Sequence, residues 1–147
     1  MEIAILGLGC FWGPEIKFSK LDGIVKTEVG YCGGHSGKTN YKEVCTGTTN
    51  HAEVVKLDFD PKIISYEKIL KFFFEIHDPT TLNSQGPDFG TQYRSEIFYL
   101  NDQQKEISEK IIKEENIRFS GKIATKTSLA KNYCPAEEYH QKYFDKR

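Results

Sequence analysis

The chain has 147 residues, of which 38% are hydrophobic and 28% charged, as is typical of one folded domain with a single core. A formal net charge of -1 gives no electrostatic basis for binding nucleic acid or an anionic membrane, so we expect neither partner. We find no apolar run of membrane-spanning length and no signal peptide before the first strand. We therefore expect a cytoplasmic monomer with one catalytic domain, residues 1–147.

Hydrophobic periodicity and capping residues predict five strands and four helices in chain order. The strands are 2–7, 24–30, 52–59, 96–100 and 122–126, and the helices are 14–21, 66–76, about 102–116 and 136–144. Gly23 is expected to close the first helix in a left-handed conformation, and Ser65 to cap the second. The β-α-β-β-α-β order predicts an α+β fold, a ferredoxin-like two-layer sandwich with helices on one face of a mainly antiparallel sheet.

Two long loops, 31–50 and 80–93, interrupt this pattern, and loops of that length in a compact domain are usually functional. A cysteine also stands where the first strand hands over to the first helix. Cys10 is flanked by Gly9, which suits a tight turn, and is followed by the rings of Phe11 and Trp12. The N-terminus of the helix predicts a lowered thiol pKa, although a single cysteine after a strand is also often a small buried hydrophobe.

The other cysteines are Cys32, Cys45 and Cys134. Their spacing forms neither a disulfide framework nor a C-x-x-C pair, so we expect free thiols. The histidines are scattered, so a structural zinc site is not expected, and we predict neither a metal nor an organic cofactor. His51 and His140 are assigned at most a role in orienting neighbours.

Five sequence blocks follow one another along nearly the whole chain. They are GCFWG at 9–13, YKEVCTG at 41–47, HAE at 51–53, DFGTQYRS at 88–95 and PAEEYHQ at 135–141. Together they resemble the peptide methionine sulfoxide reductase A family, which reverses methionine oxidation for one sulfoxide epimer. The resemblance implies thiol-dependent reduction of methionine S-sulfoxide, free or in proteins, in the repair of oxidative damage.

The resemblance also implies roles for individual residues. Cys10 matches the nucleophile that attacks the sulfoxide sulfur and becomes a sulfenic acid, and Glu53 matches the acid that protonates the sulfoxide oxygen. Tyr41 and Tyr93 match two hydroxyls directed at that oxygen, and Asp88 a carboxylate that organises the site. The chemistry agrees, because sulfoxide sulfur is a poor electrophile until its oxygen is protonated. A carboxyl buried among aromatics would keep its proton near neutral pH.

Phe11 and Trp12 match the rings that hold the methyl group of the substrate, by burial and by sulfur–aromatic contact. Each residue also has a simpler interpretation. Glu53 on an alternating strand suits a solvated face, Tyr41 and Tyr93 suit the edge of a core, and Asp88 suits a turn.

The resemblance also implies that a sulfenic acid on Cys10 must be reduced before the next turnover. Many members of the family use a second cysteine in a glycine-rich C-terminal tail, which thioredoxin then reduces, and no such tail follows here. Cys134 ranks first as a resolving cysteine and Cys32 second, while Cys45 is interpreted as structural. The alternative has no resolving cysteine and is given the same weight as the three cysteines together. In it, thioredoxin, or glutathione with glutaredoxin, reduces Cys10 directly. A peroxidase or a non-catalytic module that binds oxidised side chains are the rival functions.

Overall fold

The structure, a computed structural model, describes residues 1–142. The strands are β1 (Glu2–Leu8), β2 (Ile24–Cys32), β3 (Ala52–Phe59), β4 (Ser84–Gln85), β5 (Asp88–Phe89), β6 (Ser95–Tyr99), β7 (Lys126–Leu129) and β8 (Cys134–Pro135). The α-helices are α1 (Trp12–Ser19), α2 (Tyr41–Cys45), α3 (Tyr66–Glu75) and α4 (Asp102–Arg118), and 3-10 turns lie at Thr91–Tyr93 and Glu138–His140. No helix in this described range is long and apolar enough to cross a membrane.

The central sheet has the strand order β7-β6-β1-β3-β2-β8. Its four inner strands, β6-β1-β3-β2, pair antiparallel, with β3 inserted between β1 and β2. This is the split arrangement that the sequence predicted, so the ferredoxin-like α+β fold is confirmed. On the edges, β7 joins β6 in parallel and β8 joins β2 antiparallel, while β4 and β5 form a separate hairpin.

The two faces of the sheet bury different clusters because side chains alternate along each strand. Val55, Leu57 and Phe59 of β3 belong to the main core, together with apolar residues of α1, α3 and α4. Ala52 and Val54 belong to a smaller cluster on the opposite face. By the same alternation Glu53 faces the helices, and its carboxyl is directed into the protein rather than toward solvent.

The most regular elements match their predicted bounds. The strand predicted at 52–59 is β3 to the residue, and the helix predicted at 66–76 ends one residue early, as α3. The side chain of Ser65 accepts a hydrogen bond from the amide of Lys68 at 3.1 Å, as expected for an N-cap. Gly23 has a φ of +99°, in agreement with its predicted left-handed conformation.

The strand predicted at 122–126 is wrong. The segment that pairs with the sheet is β7, which begins four residues later than predicted. It runs parallel to β6 in the register Glu96↔Lys126 to Tyr99↔Leu129. The preceding stretch is held by loop contacts instead, with the amide of Ala124 donating to the Pro79 carbonyl at 2.7 Å. The bounds of an edge strand depend on the register of its partner, which local sequence does not contain.

The helix predicted at 136–144 is also wrong for residues 136–142, the part of it that the structure describes. Its first residue, Ala136, donates its amide to the Val29 carbonyl at 2.9 Å and so extends the edge of β2. The only helical geometry that follows within the described range is the 3-10 turn Glu138–His140. Residues 143 and 144 of the predicted helix lie outside the described residues.

Both predicted loops contain short regular structure. The first holds α2, whose N-cap Asn40 accepts from the amide of Glu43 at 2.9 Å. The second holds the β4-β5 hairpin and the turn Thr91–Tyr93. These short elements carry three of the predicted site residues: Tyr41, Asp88 and Tyr93.

A half-buried histidine, His77, joins α3 to the start of β6, beside the end of β1 that leads to Cys10. Nδ1 of His77 donates to the Phe73 carbonyl at 2.5 Å, so the neutral ring accepts from Ser95 at Nε2, at 2.7 Å. Ser95 is the register partner of Leu8 in β1. Burial lowers the pKa of His77 to about 4, against weaker raising effects from the Phe73 carbonyl and Asp78.

We expect the contribution of His77 to the free energy of unfolding to fall by about 3 kcal/mol as the pH drops from 6.5 to 4. The reason is that the unfolded chain takes up a proton that half-buried His77 excludes. In His77→Gln this proton uptake is removed, so the slope of stability against pH over that window should decrease. Urea unfolding at a series of pH values measures both slopes, and equal slopes would contradict a neutral His77.

Candidate active site

Cys10 lies in the bend that connects β1 to α1 and is half-buried. Gly9 makes the bend possible with a φ of +96°, and a Cβ at Gly9 would lie 2.8 Å from Cγ of Gln85. α1 begins at Trp12, two residues before the predicted start, which places Cys10 just ahead of the first helical turn. The strand and the helix therefore fix the position of the thiol from both sides.

The pKa of the Cys10 thiol is raised to about 11, so the predicted lowering is wrong for the site without substrate. Burial is the largest cause, because a low-dielectric surrounding disfavours the thiolate. The backbone amide of Trp12 acts in the predicted direction and lowers the pKa, but less strongly. The carboxylates of Glu53 and Asp88 raise it further, so Cys10 rests as a thiol.

Glu53 is the second residue of β3, and its side chain is 1% exposed, which rules out the simpler interpretation of a solvated strand face. One carboxyl oxygen, Oε1, accepts from the backbone amide of Phe11, next to Cys10, at 3.4 Å. The other, Oε2, is buried and has no hydrogen-bond partner among residues 1–142. Burial raises the pKa of Glu53 to about 8, assisted by Asp88 and opposed by the Phe11 amide. The group is therefore a carboxylic acid at neutral pH.

The phenols of Tyr41 and Tyr93 meet at the same place from two different loops. Tyr41 opens α2 and Tyr93 closes the 3-10 turn Thr91–Tyr93. Burial raises the pKa of both hydroxyls, their mutual contact shifts both, and the charge of Glu53 raises both. The thiol of Cys45 also contacts the Tyr41 hydroxyl. Two neutral hydrogen-bond donors thus lie within electrostatic range of the Glu53 carboxyl.

Asp88, on β5 of the small hairpin, is the remaining predicted carboxylate. Its negative charge raises the pKa of Cys10, Glu53 and Tyr93 alike, which places it close to all three. Its effect is to favour the protonated state of each neighbour. The structure therefore brings the five predicted catalytic residues into one site.

The two predicted substrate-binding rings differ in their surroundings. Phe11 is 1% exposed, and its ring packs in the core at 5.8 Å from the ring of Tyr31 and 5.3 Å from that of His140. Trp12 is half-buried, and its indole nitrogen donates to Nδ1 of His140 at 3.1 Å. Trp12 is thus the more accessible of the two rings.

Comparison with known proteins identifies the family. The family model described as peptide methionine sulfoxide reductase matches residues 2–147. The peptide methionine sulfoxide reductase MsrA of Pelagibacter ubique is 80% identical over 147 residues, which cover the whole of both chains. The chain belongs to the peptide methionine sulfoxide reductase family.

Solved structures agree with this assignment. The crystal structure of Mxr1 from Saccharomyces cerevisiae in reduced form matches with a TM-score of 0.94 and 46% identity, over 99% of this chain and 85% of Mxr1. Mxr1 in complex with Trx2 matches with a TM-score of 0.68 and 32% identity, over 97% and 84%. The chain is a peptide-methionine (S)-S-oxide reductase, a thiol-dependent oxidoreductase that reduces methionine sulfoxide, so the predicted activity is confirmed.

The other cysteines of the reductase lie in three different environments. Cys134, on β8, contacts the Thr39 carbonyl at 3.6 Å and stands three strand spacings from β1, about 14 Å. A disulfide requires Cα atoms within about 7 Å, and β3 and β2 separate the strand of Cys134 from the strand that leads to Cys10, which argues against a Cys10–Cys134 disulfide in this arrangement. Cys32 is completely buried in the cluster on the opposite sheet face, which argues against a resolving role. Cys45, predicted to be structural, is exposed on α2.

Glu137 received no role from the sequence, and His140 at most an orienting role, although both residues belong to the PAEEYHQ block. His140 is 2% exposed and holds the Trp12 indole, as described above, which agrees with the orienting role considered for it. Glu137 accepts hydrogen bonds from the Tyr31 hydroxyl at 2.9 Å and the Tyr41 amide at 3.0 Å. Only the folded chain brings these residues to the site. Across residues 1–142, His, Cys, Asp and Glu side chains form no group of three suited to hold a metal ion.

We expect iodoacetamide to alkylate Cys10 more slowly at pH 7 than the exposed Cys45, because burial keeps Cys10 protonated, and at pH 9 the ionised Glu53 adds to this effect. In Glu53→Gln this charge is removed, so alkylation of Cys10 at pH 9 should become several-fold faster. Peptide mass spectrometry gives both rates.

The matched control is Glu75→Gln, which neutralises an exposed carboxylate on α3 and should leave the rate at Cys10 unchanged. Faster alkylation of Cys10 than of Cys45 at neutral pH would show that the thiol pKa is not raised.

Proposed function

We propose that reduction of the sulfoxide depends on a proton relayed between Glu53 and Cys10. The observation that carries the proposal is the buried Glu53 carboxyl, which has a pKa of about 8 and a free Oε2. In the complex, Oε2–H donates to the sulfoxide oxygen, and the hydroxyls of Tyr41 and Tyr93 donate to the same atom. Each of these donors strengthens as charge develops on the oxygen.

The step converts one thiol and one sulfoxide into a sulfenic acid and a thioether. The Cys10 sulfur attacks the sulfoxide sulfur while Glu53 protonates its oxygen, and the carboxylate so formed accepts the proton released by the thiol. The hydroxyl then passes from the substrate sulfur to the Cys10 sulfur, which forms the S–O bond of the sulfenic acid. The substrate S–O bond and the new S–S bond both break, and the S–S electron pair stays on the substrate sulfur, which leaves as the thioether. Coupling the two proton transfers is required because the pKa of free Cys10, about 11, leaves little thiolate at neutral pH.

Asp88 and the aromatic rings complete this proposal. The charge of Asp88 maintains Glu53 as an acid. The half-buried indole of Trp12, held by His140 and backed by the buried ring of Phe11, forms the wall against which the methyl group of the substrate packs. This packing directs the sulfoxide oxygen toward Glu53.

We expect Glu53→Gln to lower kcat/KM for methionine S-sulfoxide by about 10²–10³, because the oxygen loses its proton source. In the unmodified enzyme the rate should fall as pH rises through about 8, where Glu53 loses the proton. Steady-state assays of the separate epimers between pH 6 and 10 measure both effects.

Glu75→Gln is the control and should retain both the rate and the pH profile. A rate that is independent of pH from neutral to alkaline conditions would contradict Glu53 as the acid.

We further propose that an external thiol resets the enzyme by attacking the sulfenic acid of Cys10 directly. The position of Cys134, about 14 Å from β1, supports this route over an internal disulfide. The solved complex of Mxr1 with Trx2 supports a thioredoxin as the reductant, and glutathione with glutaredoxin is the alternative. Cys134 remains the internal candidate if the two-residue strand β8 leaves β2.

Mass spectrometry of the enzyme after one turnover without reductant tests the route. We expect a sulfenic acid on Cys10 that a thioredoxin or glutathione reduces, with Cys134→Ser turning over at the rate of the unmodified enzyme. A Cys10–Cys134 disulfide would overturn direct reduction and establish Cys134 as the resolving cysteine.

Three further expectations from the sequence remain predictions. They are one catalytic domain over residues 1–147, a monomer, and a location in the cytoplasm. The match of the family model to residues 2–147 supports the first, and the free thiols of the described cysteines suit a reducing compartment. Light scattering of the purified enzyme measures the oligomeric state.

A further inference from the structure

Residues 134–142 lie along the free edge of β2, and we call this segment the strap. β8 pairs with Gly30 and Tyr31. Further along, the side chain of Gln141 imitates a strand: its Oε1 accepts from the Val29 amide at 2.9 Å and its Nε2 donates to the Val29 carbonyl at 2.8 Å. The strap is therefore attached to the sheet at both ends, and the residues between these attachments lie beside the active site.

One carboxylate in the middle of the strap receives three hydrogen bonds from separate parts of the chain. Oε1 of Glu137 accepts from the hydroxyl of Tyr31 at 2.9 Å. Oε2 accepts from the backbone amide of Tyr41 at 3.0 Å and from the hydroxyl of Tyr139 at 3.2 Å. Burial raises the pKa of Glu137, but the Tyr41 amide and these hydroxyls lower it by more, so the group is ionised at neutral pH.

The bond to Tyr41 bears on the chemistry because α2 has only five residues. A helix of that length is not stable on its own, so its position depends on the contacts that anchor it. Its first amide is held by Glu137, and its N-cap is Asn40. The direction of the Tyr41 phenol therefore depends on a carboxylate that does not itself face the substrate.

The hydrogen bonds from Tyr31 and Tyr139 connect Glu137 with the aromatic wall, by which we mean the rings of Phe11 and Trp12. The ring of Tyr31 packs against Phe11 at 5.8 Å. The ring of Tyr139 packs against His140 at 4.2 Å, and His140 accepts the indole N–H of Trp12. Glu137 thus contacts the backbone of one predicted hydrogen-bond donor directly. It reaches Phe11 through Tyr31, and Trp12 through Tyr139 and His140.

We propose that Glu137 is a positioning residue for sulfoxide reduction, holding the Tyr41 phenol and the Trp12 ring in place from outside the site. This rests on the proposed function, in which Tyr41 donates to the sulfoxide oxygen and Trp12 holds the methyl group. Misplacing such groups by about 1 Å can cost 10²-fold in rate.

The test compares Glu137→Ala, Glu137→Gln, Tyr41→Phe and the double variant Glu137→Ala/Tyr41→Phe. We expect Glu137→Ala to lower kcat by about 10- to 100-fold. Glu137→Gln should recover much of this loss, because its amide oxygen still accepts a hydrogen bond. The double variant should be less impaired than the product of the two single losses, because both changes remove the same aligned hydroxyl.

Trp12 supplies a readout that is independent of turnover, since the chain contains one tryptophan. In Glu137→Ala we expect its fluorescence to shift to longer wavelength and to be quenched more by acrylamide, as its packing loosens. The control Glu109→Ala, which removes an exposed carboxylate on α4, should change neither signal nor rate.

Multiplicative losses in the double variant together with unchanged Trp12 fluorescence would overturn the proposal. An unchanged kcat in Tyr41→Phe would instead contradict the proposed donor role of Tyr41. In that case the fluorescence of Glu137→Ala alone decides whether Glu137 positions the aromatic wall, and an unchanged spectrum rejects it.

Discussion

The chemistry of this reductase depends on the burial of one carboxyl without a full set of hydrogen bonds. Glu53 stands on the helix-facing side of β3, almost completely excluded from water, with one oxygen held by the Phe11 amide and the other left unpaired. A buried polar atom without a partner costs free energy, so such an atom is usually found where a ligand completes it. In the proposed mechanism, the sulfoxide oxygen is the acceptor that completes it.

Burial also decides the state of the nucleophile. The helix N-terminus at Trp12 favours the Cys10 thiolate, but desolvation, the largest effect, opposes it and prevails, assisted by the charge of Asp88, so the resting pair is thiol and carboxylic acid. A site in this state is nearly neutral and retains its protons until a substrate oxygen arrives. The thiolate then forms only when the Glu53 carboxylate can accept the proton that the thiol releases.

The elements that sequence predicts well are those whose own residues repeat in a regular pattern. β3 alternates along its whole length, and α3 combines an apolar face with the Ser65 cap, so both were located closely. The motif around Cys10 and the four ordered blocks downstream likewise identified the family. Elements without an internal pattern were missed: α2 is one and a half turns, β7 takes its bounds from β6, and β8 exists only against β2.

The sequence by itself therefore determined the α+β fold, the family and the reaction, because local periodicity and short motifs carry this information. Tertiary structure decided the protonation state of Cys10, since desolvation is a property of everything packed around the thiol. It also decided that Glu137 binds the backbone amide of Tyr41 and that His140 binds the indole of Trp12, although both partners are far apart along the chain. Contacts across about a hundred residues depend on how the sheet edge closes, which no local pattern encodes.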